Sequence, residues 1–176
     1  RFRFLVTPPL SRMNLADDDF TLFGLPQRQA QDRAVIETRW KELAAQVHPD
    51  RFATQGAAAQ RQAMQWALRV NEAHQRLRDP LKRAAYLCEL RGVPVQAHEN
   101  TRMPASFLME QMSWREALDD AADLASVERL DAEVAAREQD LLREIEQQLD
   151  EVGDSAAAAA NVRALMFVVR FRADID

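Results

Sequence analysis

The chain has 176 residues, of which 47% are hydrophobic and 29% are charged, and its formal net charge is −5. These values fit a folded protein with one sizeable domain or two small ones, and they exclude a disordered chain. No apolar run approaches the roughly 20 residues that cross a bilayer, and no secretory signal is visible, so we expect a cytoplasmic protein with no membrane partner. The single cysteine, Cys88, excludes an internal disulfide and is expected to be a small buried side chain.

The first residues, RFRFLVTPPLSR, precede Met13 and contain arginine but no acidic residue. We interpret residues 1–13 as a vector-derived leader, with a truncated transit peptide as the alternative. Beyond them, helical patterns alternate with turn signals, and no segment has the alternation of a strand. We therefore predict an all-α protein with a first domain at 14–91, a linker at 92–103 and a helical bundle at 104–176, joined at an angle into an L shape.

The first two predicted helices differ in length. Asp17–Asp19 can cap a short helix that Gly24 and Pro26 would end. A second helix over about 29–47 has one apolar stripe. The stripe consists of Ile36, Trp40, Leu43 and Val47. On the other side, an outward row of alternating charge is most simply a solvated face. That row consists of Arg33, Glu37 and Lys41.

Two more helices complete the first domain. Residues 57–77 are expected to form a third helix, antiparallel to the second because the connection is short. Its apolar register consists of Ala63, Ala67, Val70, Ala73 and Leu77. A fourth helix should start near Pro80 and stop at Gly92.

The C-terminal part contains three predicted helices, at about 104–124, 126–151 and 156–172. The middle helix carries a seam suited to a bundle. The seam consists of Leu130, Val134, Leu141, Ile145, Leu149 and Val152. Between residues 115 and 152, acids greatly outnumber arginines, which argues against binding of nucleic acid.

The stretch LAAQVHPDRFA, residues 43–53, interrupts two helical patterns at His48-Pro49-Asp50. Pro49 disfavours helical backbone at His48, so the second helix should end there and expose the loop. The residues leave four interpretations: a plain helix-ending turn, a general base at His48, a metal site, or a recognition loop. A tight hairpin offers no nucleophile or pocket, and His74 and His98 lack the spacing of a zinc site. We therefore predict no catalytic and no metal-binding residue.

Several motifs together resemble a J-domain, the part of a co-chaperone that stimulates the ATPase of DnaK-type heat-shock chaperones. They are DDFTLFGLP, HPDRF and VNEAHQRLRDP. With LRDPLKRAAYL and FLMEQM, the likeness extends over about residues 17–172 and is greater to the bacterial-type HscB family, the co-chaperones of iron–sulfur cluster assembly. Cys88 stands where that pattern commonly has an aliphatic residue, which should leave the packing intact.

The resemblance implies roles for residues in the first domain. His48, Pro49 and Asp50 would be the signature that stimulates the ATPase of an HscA/DnaK-type chaperone. Further docking charges are expected on the flanking segments. These are Arg39, Lys41 and Arg51.

A second surface is predicted on the helix at 104–124. At about 100° per residue, one sector forms the core face. This sector contains Phe107, Trp114, Leu118, Ala121 and Ala125. Leu108, Met109 and Met112 fall outside it, beside Glu116 and Asp120. Phe167 and Phe171 form a similar excess opposite Val162, Leu165, Met166 and Val169 on the last helix.

The excess apolar surface has two interpretations, a wider core or an exposed protein-binding patch ringed by acids. The HscB resemblance favours the patch, because in that family the C-terminal helices bind the cluster scaffold IscU. The implied scaffold-binding residues are Leu108, Met109, Met112, Glu116, Asp120 and Phe167. Ser113 stands where an acid is usual, and Asp120 where Glu is usual, which would retune the polar rim.

We expect a monomer that needs no cofactor, is not an enzyme, and delivers the IscU scaffold to an HscA-type chaperone. The competing hypothesis is a non-catalytic helical scaffold or self-associating module in which His48-Pro49-Asp50 is only a turn. Sedimentation at several concentrations would distinguish the two hypotheses.

Overall fold

The computed structural model describes residues 10–96 and 102–175, and every regular element in these ranges is helical, which confirms the all-α fold class. The helices are α1 (Asp19–Phe23), α2 (Arg33–Val47), α3 (Ala57–Arg78), α4 (Pro80–Leu90), α5 (Ala105–Asp119), α6 (Leu124–Gln147) and α7 (Ser155–Ile175). Short 3-10 turns lie at Leu10–Arg12 and Pro49–Phe52, and a π turn at Gln148–Val152 extends α6.

The chain forms two compact units, residues 1–83 and 84–176, so their border falls inside α4. The predicted domain boundaries at 91 and 103 stay predictions. Parts of the predicted leader at 1–13 and of the predicted linker at 92–103 lie outside the described residues. Both segments therefore stay predictions.

Helix α1 is short but its ends are well specified. The carboxylate of Asp18 accepts a hydrogen bond from the backbone N–H of Thr21 at 3.0 Å, which caps the first turn. Gly24 ends the helix in the left-handed region, with φ of 62°, where only glycine is unstrained. The helix thereby turns Phe20 and Phe23 into the core.

A buried ion-pair cluster holds α1 on α3. Asp19 is fully buried, and its carboxylate oxygens lie 2.7 Å from a guanidinium nitrogen of Arg69 and 2.7 Å from one of Arg76. Arg69 also donates to the backbone carbonyls of Leu15 and Asp17. Burying a carboxylate is tolerated only when it is paired and hydrogen-bonded, so these contacts fix the start of α1.

Helices α2 and α3 form the predicted hairpin, with the apolar stripe of α2 at its centre. Ile36, Leu43 and Val47 are at most 1% exposed. Trp40 is only partly covered. Its indole N–H donates to the side-chain oxygen of Asn71 at 2.9 Å, and its ring stacks on His74 with centroids 4.3 Å apart. The stripe is therefore buried as predicted, with a polar contact at its edge.

Glu37 does not belong to a freely solvated row, and that part of the prediction is wrong. Its carboxylate lies 3.0 Å from Nε2 of the buried His74, while Arg33 and Lys41 on the same row are exposed. The hydrogen bond from His74 lowers the pKa of Glu37 below its ordinary value. A histidine that sequence reasoning left without a role thus joins α2 to α3.

In the second unit, the boundary between α5 and α6 differs from the prediction. Helix α5 ends at Asp119, five residues early, and α6 begins at Leu124. The reason is local, because the Asp123 carboxylate caps α6 by accepting from the backbone N–H of Ser126 at 2.8 Å. Ala125 therefore lies on α6 and is exposed, so its place on the α5 core face is wrong.

An aromatic cluster connects α5 to α7. Phe107 is fully buried and meets Trp114 and Phe167 edge-on at 5.8 Å, while Trp114 stacks on Phe171 at 6.0 Å. Phe171 is only 5% exposed, so its predicted excess surface is wrong. Val169 is the converse case, because it was placed on the core face and is 41% exposed.

The seam of α6 is buried at five of its six predicted positions, and Val152 is the exception at 66% exposure. Val152 lies in the π turn just before Gly153, where the wider winding changes the phase of the helix. Cys88 is fully buried, as predicted, and burial raises the pKa of its thiol.

We predict that Asp19→Ala lowers the free energy of unfolding by about 3–5 kcal/mol, because it leaves two arginines beside an apolar gap. Urea unfolding measures this in a Trp114→Phe background, where the remaining tryptophans, Trp40 and Trp66, both report on the first unit. The control is Glu42→Ala, which removes an exposed partner of Arg39 and should cost less than about 1 kcal/mol. An equal loss of unfolding free energy in both variants would show that the buried ion-pair cluster of Asp19 does not hold α1 on α3.

A second prediction concerns pH. Because the pKa of Glu37 is lowered in the folded protein, its contribution to stability is complete above the ordinary value of 4.5 and is lost as pH falls below it. The gap in urea midpoint between the parent and Glu37→Gln, both in the same tryptophan background, should therefore shrink between pH 6 and pH 3. A gap that stays constant over this range would show that the ionised carboxylate does not stabilise the hairpin.

Candidate functional site

The corner formed by His48, Pro49 and Asp50, called the HPD corner below, lies where α2 ends. His48 has extended backbone, with φ of −58° and ψ of 127°, and Pro49 opens the 3-10 turn Pro49–Phe52. Nδ1 of His48 accepts a hydrogen bond from the backbone N–H of Asp50 at 3.3 Å. The imidazole thus caps the turn that follows it, and the predicted end of the helix at Pro49 is confirmed.

The two ionisable side chains of the HPD corner are presented to solvent. The side chain of His48 is 59% exposed and that of Asp50 is 92% exposed, with Nδ1 and a carboxylate oxygen 3.6 Å apart. A side-chain contact this exposed stabilises the fold little. The carboxylate of Asp50 can therefore exchange His48 and water for a cation on another molecule.

Two concavities lie beside the corner, and His48 lines neither of them. One, of about 260 Å³, is lined by residues that include Val47, Phe52 and Trp66. The other is lined by Gln46, Arg51, Phe52 and Gln55. A general base needs the reacting atom within hydrogen-bond reach, and the corner projects outward instead. This geometry favours a recognition loop over a catalytic site.

The three predicted docking charges have different surroundings. Lys41 is exposed on α2, and Arg51 is exposed in the turn, where its guanidinium donates to the carbonyl of Ala45 at 3.4 Å. Arg39 is only 13% exposed, and its guanidinium lies 3.6 Å from the carboxylate of Glu42. Lys41 and Arg51 are therefore exposed to solvent, as the HPD corner is, whereas most of the Arg39 side chain is covered.

Within 10–96 and 102–175, no group of three or more His, Cys, Asp or Glu side chains is placed to hold a metal ion. No helix in these ranges is long and apolar enough to cross a membrane. His98 lies outside the described residues.

The second surface lies on α5. Leu108, Met109 and Met112, called the α5 patch below, are 53%, 70% and 67% exposed. Phe107 and Trp114 on the same helix are buried, so the predicted division of α5 into a core face and an apolar outer face is present. Exposed methionines on a helix next to polar residues are typical of a surface that adapts to a partner.

Phe167 lies at the edge of this surface, between core and solvent. Its ring stacks on Phe171 at 5.9 Å and meets Phe107 edge-on, so one face belongs to the aromatic cluster. The guanidinium carbon of Arg115 lies 5.5 Å from the ring centroid. Sequence reasoning missed Arg115, although its spacing of seven from Leu108 puts both residues on one side of α5.

The polar rim of the patch is exposed as well. Glu116 and Ser113 are exposed on α5, and Asp120 is exposed at its C-terminal cap, where its backbone N–H donates to the carbonyl of Glu116 at 3.0 Å. The side chains proposed as a rim are thus accessible. The structure places all six predicted scaffold-binding residues in the second unit, with only Phe167 partly covered.

Much of the acidic excess of α6 is neutralised within the second unit, which the sequence did not indicate. Arg172 of α7 pairs with Asp131 at 2.9 Å and with Glu138 at 2.7 Å, and this hydrogen bonding lowers the pKa of Asp131. Arg137 pairs with Glu110 of α5 at 3.0 Å. These ion pairs therefore hold the bundle together, whereas Glu116 and Asp120 at the rim of the α5 patch face solvent.

Comparisons with known proteins agree along nearly the whole chain. Residues 103–176 match a family model described as the HSCB C-terminal oligomerisation domain. A "Co-chaperone protein HscB homolog" of Bordetella petrii is 50% identical over 161 residues, which cover 91% of this chain and 95% of the relative. The homolog of Cupriavidus taiwanensis is 46% identical over 170 residues, covering 91% and 92%.

Solved structures show the same architecture. Chaperone HscB from Vibrio cholerae is 33% identical with a TM-score of 0.77, and the match covers 90% of this chain and 95% of that one. Human co-chaperone protein HscB is 23% identical with a TM-score of 0.85, covering 93% and 82%, and it supports the fold alone.

Proposed function

This chain belongs to the HscB family of J-type co-chaperones of iron–sulfur cluster assembly, and we propose that it couples an HscA/DnaK-type ATPase to an IscU-type scaffold protein. In this proposal the first unit binds the ATPase through the HPD corner, and the second unit binds the scaffold through the α5 patch and Phe167. A co-chaperone acts on a chaperone partner. What we propose is which surface of the chain binds each partner and how binding affects the chaperone. A cytoplasmic location is part of the same proposal.

The observation that carries the proposal is the presentation of Asp50 at the HPD corner. Its carboxylate is 92% exposed on a turn that Pro49 and the cap from His48 hold in shape. Little conformational freedom is lost when such a group binds, so its interaction energy is available for the partner. Lys41 and Arg51, exposed nearby, would add attraction to an acidic surface and fix the orientation of docking.

The corner contributes no hydrolytic residue in this mechanism. Asp50 would compete for a cationic group in the nucleotide-binding domain of the chaperone and favour the conformation that hydrolyses ATP. The effect is a population shift, and its size is limited by the difference in affinity of the corner for the two conformations. The protein is therefore proposed to have no catalytic residue of its own.

The α5 patch supports the second half of the proposal. Three large apolar side chains side by side and more than half exposed are costly in water unless a partner covers them. Phe167 extends the apolar surface from α7, and Glu116 and Asp120 limit it on the acidic side. Holding the scaffold here while the first unit triggers ATP hydrolysis would deliver the scaffold to the chaperone.

The competing function is self-association of the second unit. The description of the matching family model refers to oligomerisation, so a second copy of the chain is the alternative occupant of the α5 patch. We propose a monomer that binds the scaffold. Sedimentation velocity over a hundredfold range of concentration decides between them, because a concentration-dependent dimer would favour the alternative.

We predict that His48→Gln abolishes stimulation of single-turnover ATP hydrolysis by the cognate HscA-type chaperone. Glutamine cannot reproduce the rigid imidazole cap that shapes the turn before Asp50. The variant should keep its affinity for the scaffold, which serves as the control for folding. Equal stimulation by parent and variant would show that the corner is only a turn.

We predict that the double variant Leu108→Ala/Phe167→Ala weakens binding of the metal-free scaffold by at least about tenfold, because both side chains would be buried in the complex. Isothermal titration calorimetry measures the loss. The control is Leu68→Ala, which removes a leucine that is 69% exposed on α3 in the first unit. Unchanged affinity of the double variant would show that the scaffold does not bind at this surface.

A further inference from the structure

Arg115 occupies an unusual place in the second unit. It is the one basic residue of α5, it is exposed, and its guanidinium carbon lies 5.5 Å from the centroid of the Phe167 ring. This distance is within the range of a cation–π interaction. A positive charge is thus fixed at the edge of a surface whose other exposed charges are acidic.

Apart from its contact with the Phe167 ring, the guanidinium of Arg115 has no charged partner in the part of the chain that the structure describes. Among the residues that the structure describes, no carboxylate lies within ion-pair distance of its guanidinium. Arg137 and Arg172 of the same unit differ, because they pair with carboxylates. Arg163 is buried and donates to the carbonyls of Val95 and Arg102. Arg115 therefore retains its hydrogen-bond donors for another molecule.

The helical geometry gives the α5 patch two different margins. At about 100° per residue, Arg115 lies within roughly 20° of Leu108 and about 60° from Met112. Glu116 and Asp120 lie about 100° and 140° from Arg115, on either side of Met109, whereas the exposed Asp119 lies about 40° from Arg115 and one turn further along the helix. Arg115 is thus the cation at the α7 edge of the patch, and two of the three nearby carboxylates lie towards the opposite edge.

We propose that Arg115 binds a carboxylate of the iron–sulfur scaffold protein and sets the orientation in which the scaffold docks on the α5 patch. The inference rests on the proposed function, in which this patch holds the scaffold. The scaffold surface that fits it has an apolar centre, an acidic group opposite Arg115 and basic groups opposite Glu116 and Asp120. Docking in the reversed orientation would place like charges together at both margins.

The aromatic contact prepares Arg115 for this role. A guanidinium lying against a ring loses part of its side-chain freedom before the partner arrives, so less entropy is lost on binding. Arginine also offers a planar fork of donors that matches a carboxylate in a bidentate pair, which lysine cannot reproduce. Once the apolar centre is covered, water is excluded and the pair is strengthened.

Calorimetric titration of the metal-free cognate scaffold into the full chain tests the proposal. The variants are Arg115→Glu, Arg115→Met, Arg115→Lys and, as the matched control, Arg143→Glu. Arg143 is 72% exposed on α6 and gives the same change in net charge away from the patch. Each titration is made at low and at high salt, because a charge pair weakens with salt and a packing contact does not.

We expect Arg115→Glu to weaken binding at least about tenfold and Arg143→Glu to change it less than about twofold. Arg115→Met, which keeps the apolar stem, should also weaken binding and should reduce the dependence of affinity on salt. Arg115→Lys should retain the salt dependence and recover only part of the affinity. These three results together support a carboxylate partner.

Other results would overturn the inference. Equal losses in Arg115→Glu and Arg143→Glu would mean that only net charge matters. Parent affinity in Arg115→Glu, with weakened binding in Leu108→Ala/Phe167→Ala, would overturn the role of Arg115 and leave the scaffold site intact. Parent affinity in both would mean that the proposed scaffold function itself fails. Dissociation of a parent dimer by Arg115→Glu would assign the patch to self-association and overturn the inference.

Discussion

Burial of the apolar stripe of α2 against α3 is the interaction on which the HPD corner depends. Ile36, Leu43 and Val47 are essentially inaccessible to solvent, and Val47 is the last helical residue before the corner. The stripe fixes the direction in which α2 arrives, and Pro49 then prevents the helix from continuing. A flexible loop could carry the same three residues, but it would not hold His48 and Asp50 in one geometry.

Polar contacts at the edge of this hydrophobic interface determine its register. The Trp40 ring stacks on the face of the His74 ring, and its indole N–H donates to Asn71. The carboxylate of Glu37 forms a hydrogen bond with Nε2 of the same histidine. Apolar packing alone tolerates a slide of one helix along the other, whereas hydrogen bonds with defined partners do not. The hairpin therefore presents its connecting turn at a fixed place.

In the second unit, some large apolar residues stay exposed instead of packing into the core. Aromatic residues of α5 and α7 fill the core between them, so Leu108, Met109 and Met112 remain on the outside of α5 with no space inside for them. Arg172 of α7 pairs with Asp131 and Glu138 of α6, which keeps these two helices together. What remains exposed is a compact apolar surface with charged margins, a chemistry suited to binding a partner of defined orientation.

The sequence by itself determined the features that depend on neighbouring residues. The helix start at Asp18, the helix stop at Pro49 and the outward face of Leu108 and Met112 follow from capping, from a missing donor and from helical period. The identity of the family likewise follows from short motifs, although the α5 boundary was misplaced because a cap at Asp123 was overlooked.

Only the tertiary structure decided which distant residues meet. Asp19 with Arg76, Glu37 with His74, and Arg115 with Phe167 join positions separated by tens of residues on different helices. Periodicity states which side of a helix is apolar, but it does not state which partner that side meets or how deeply it is buried. The burial of Phe171 and the exposure of Val169 follow from how α7 is rotated against α5 and α6, a quantity that one helix alone does not contain.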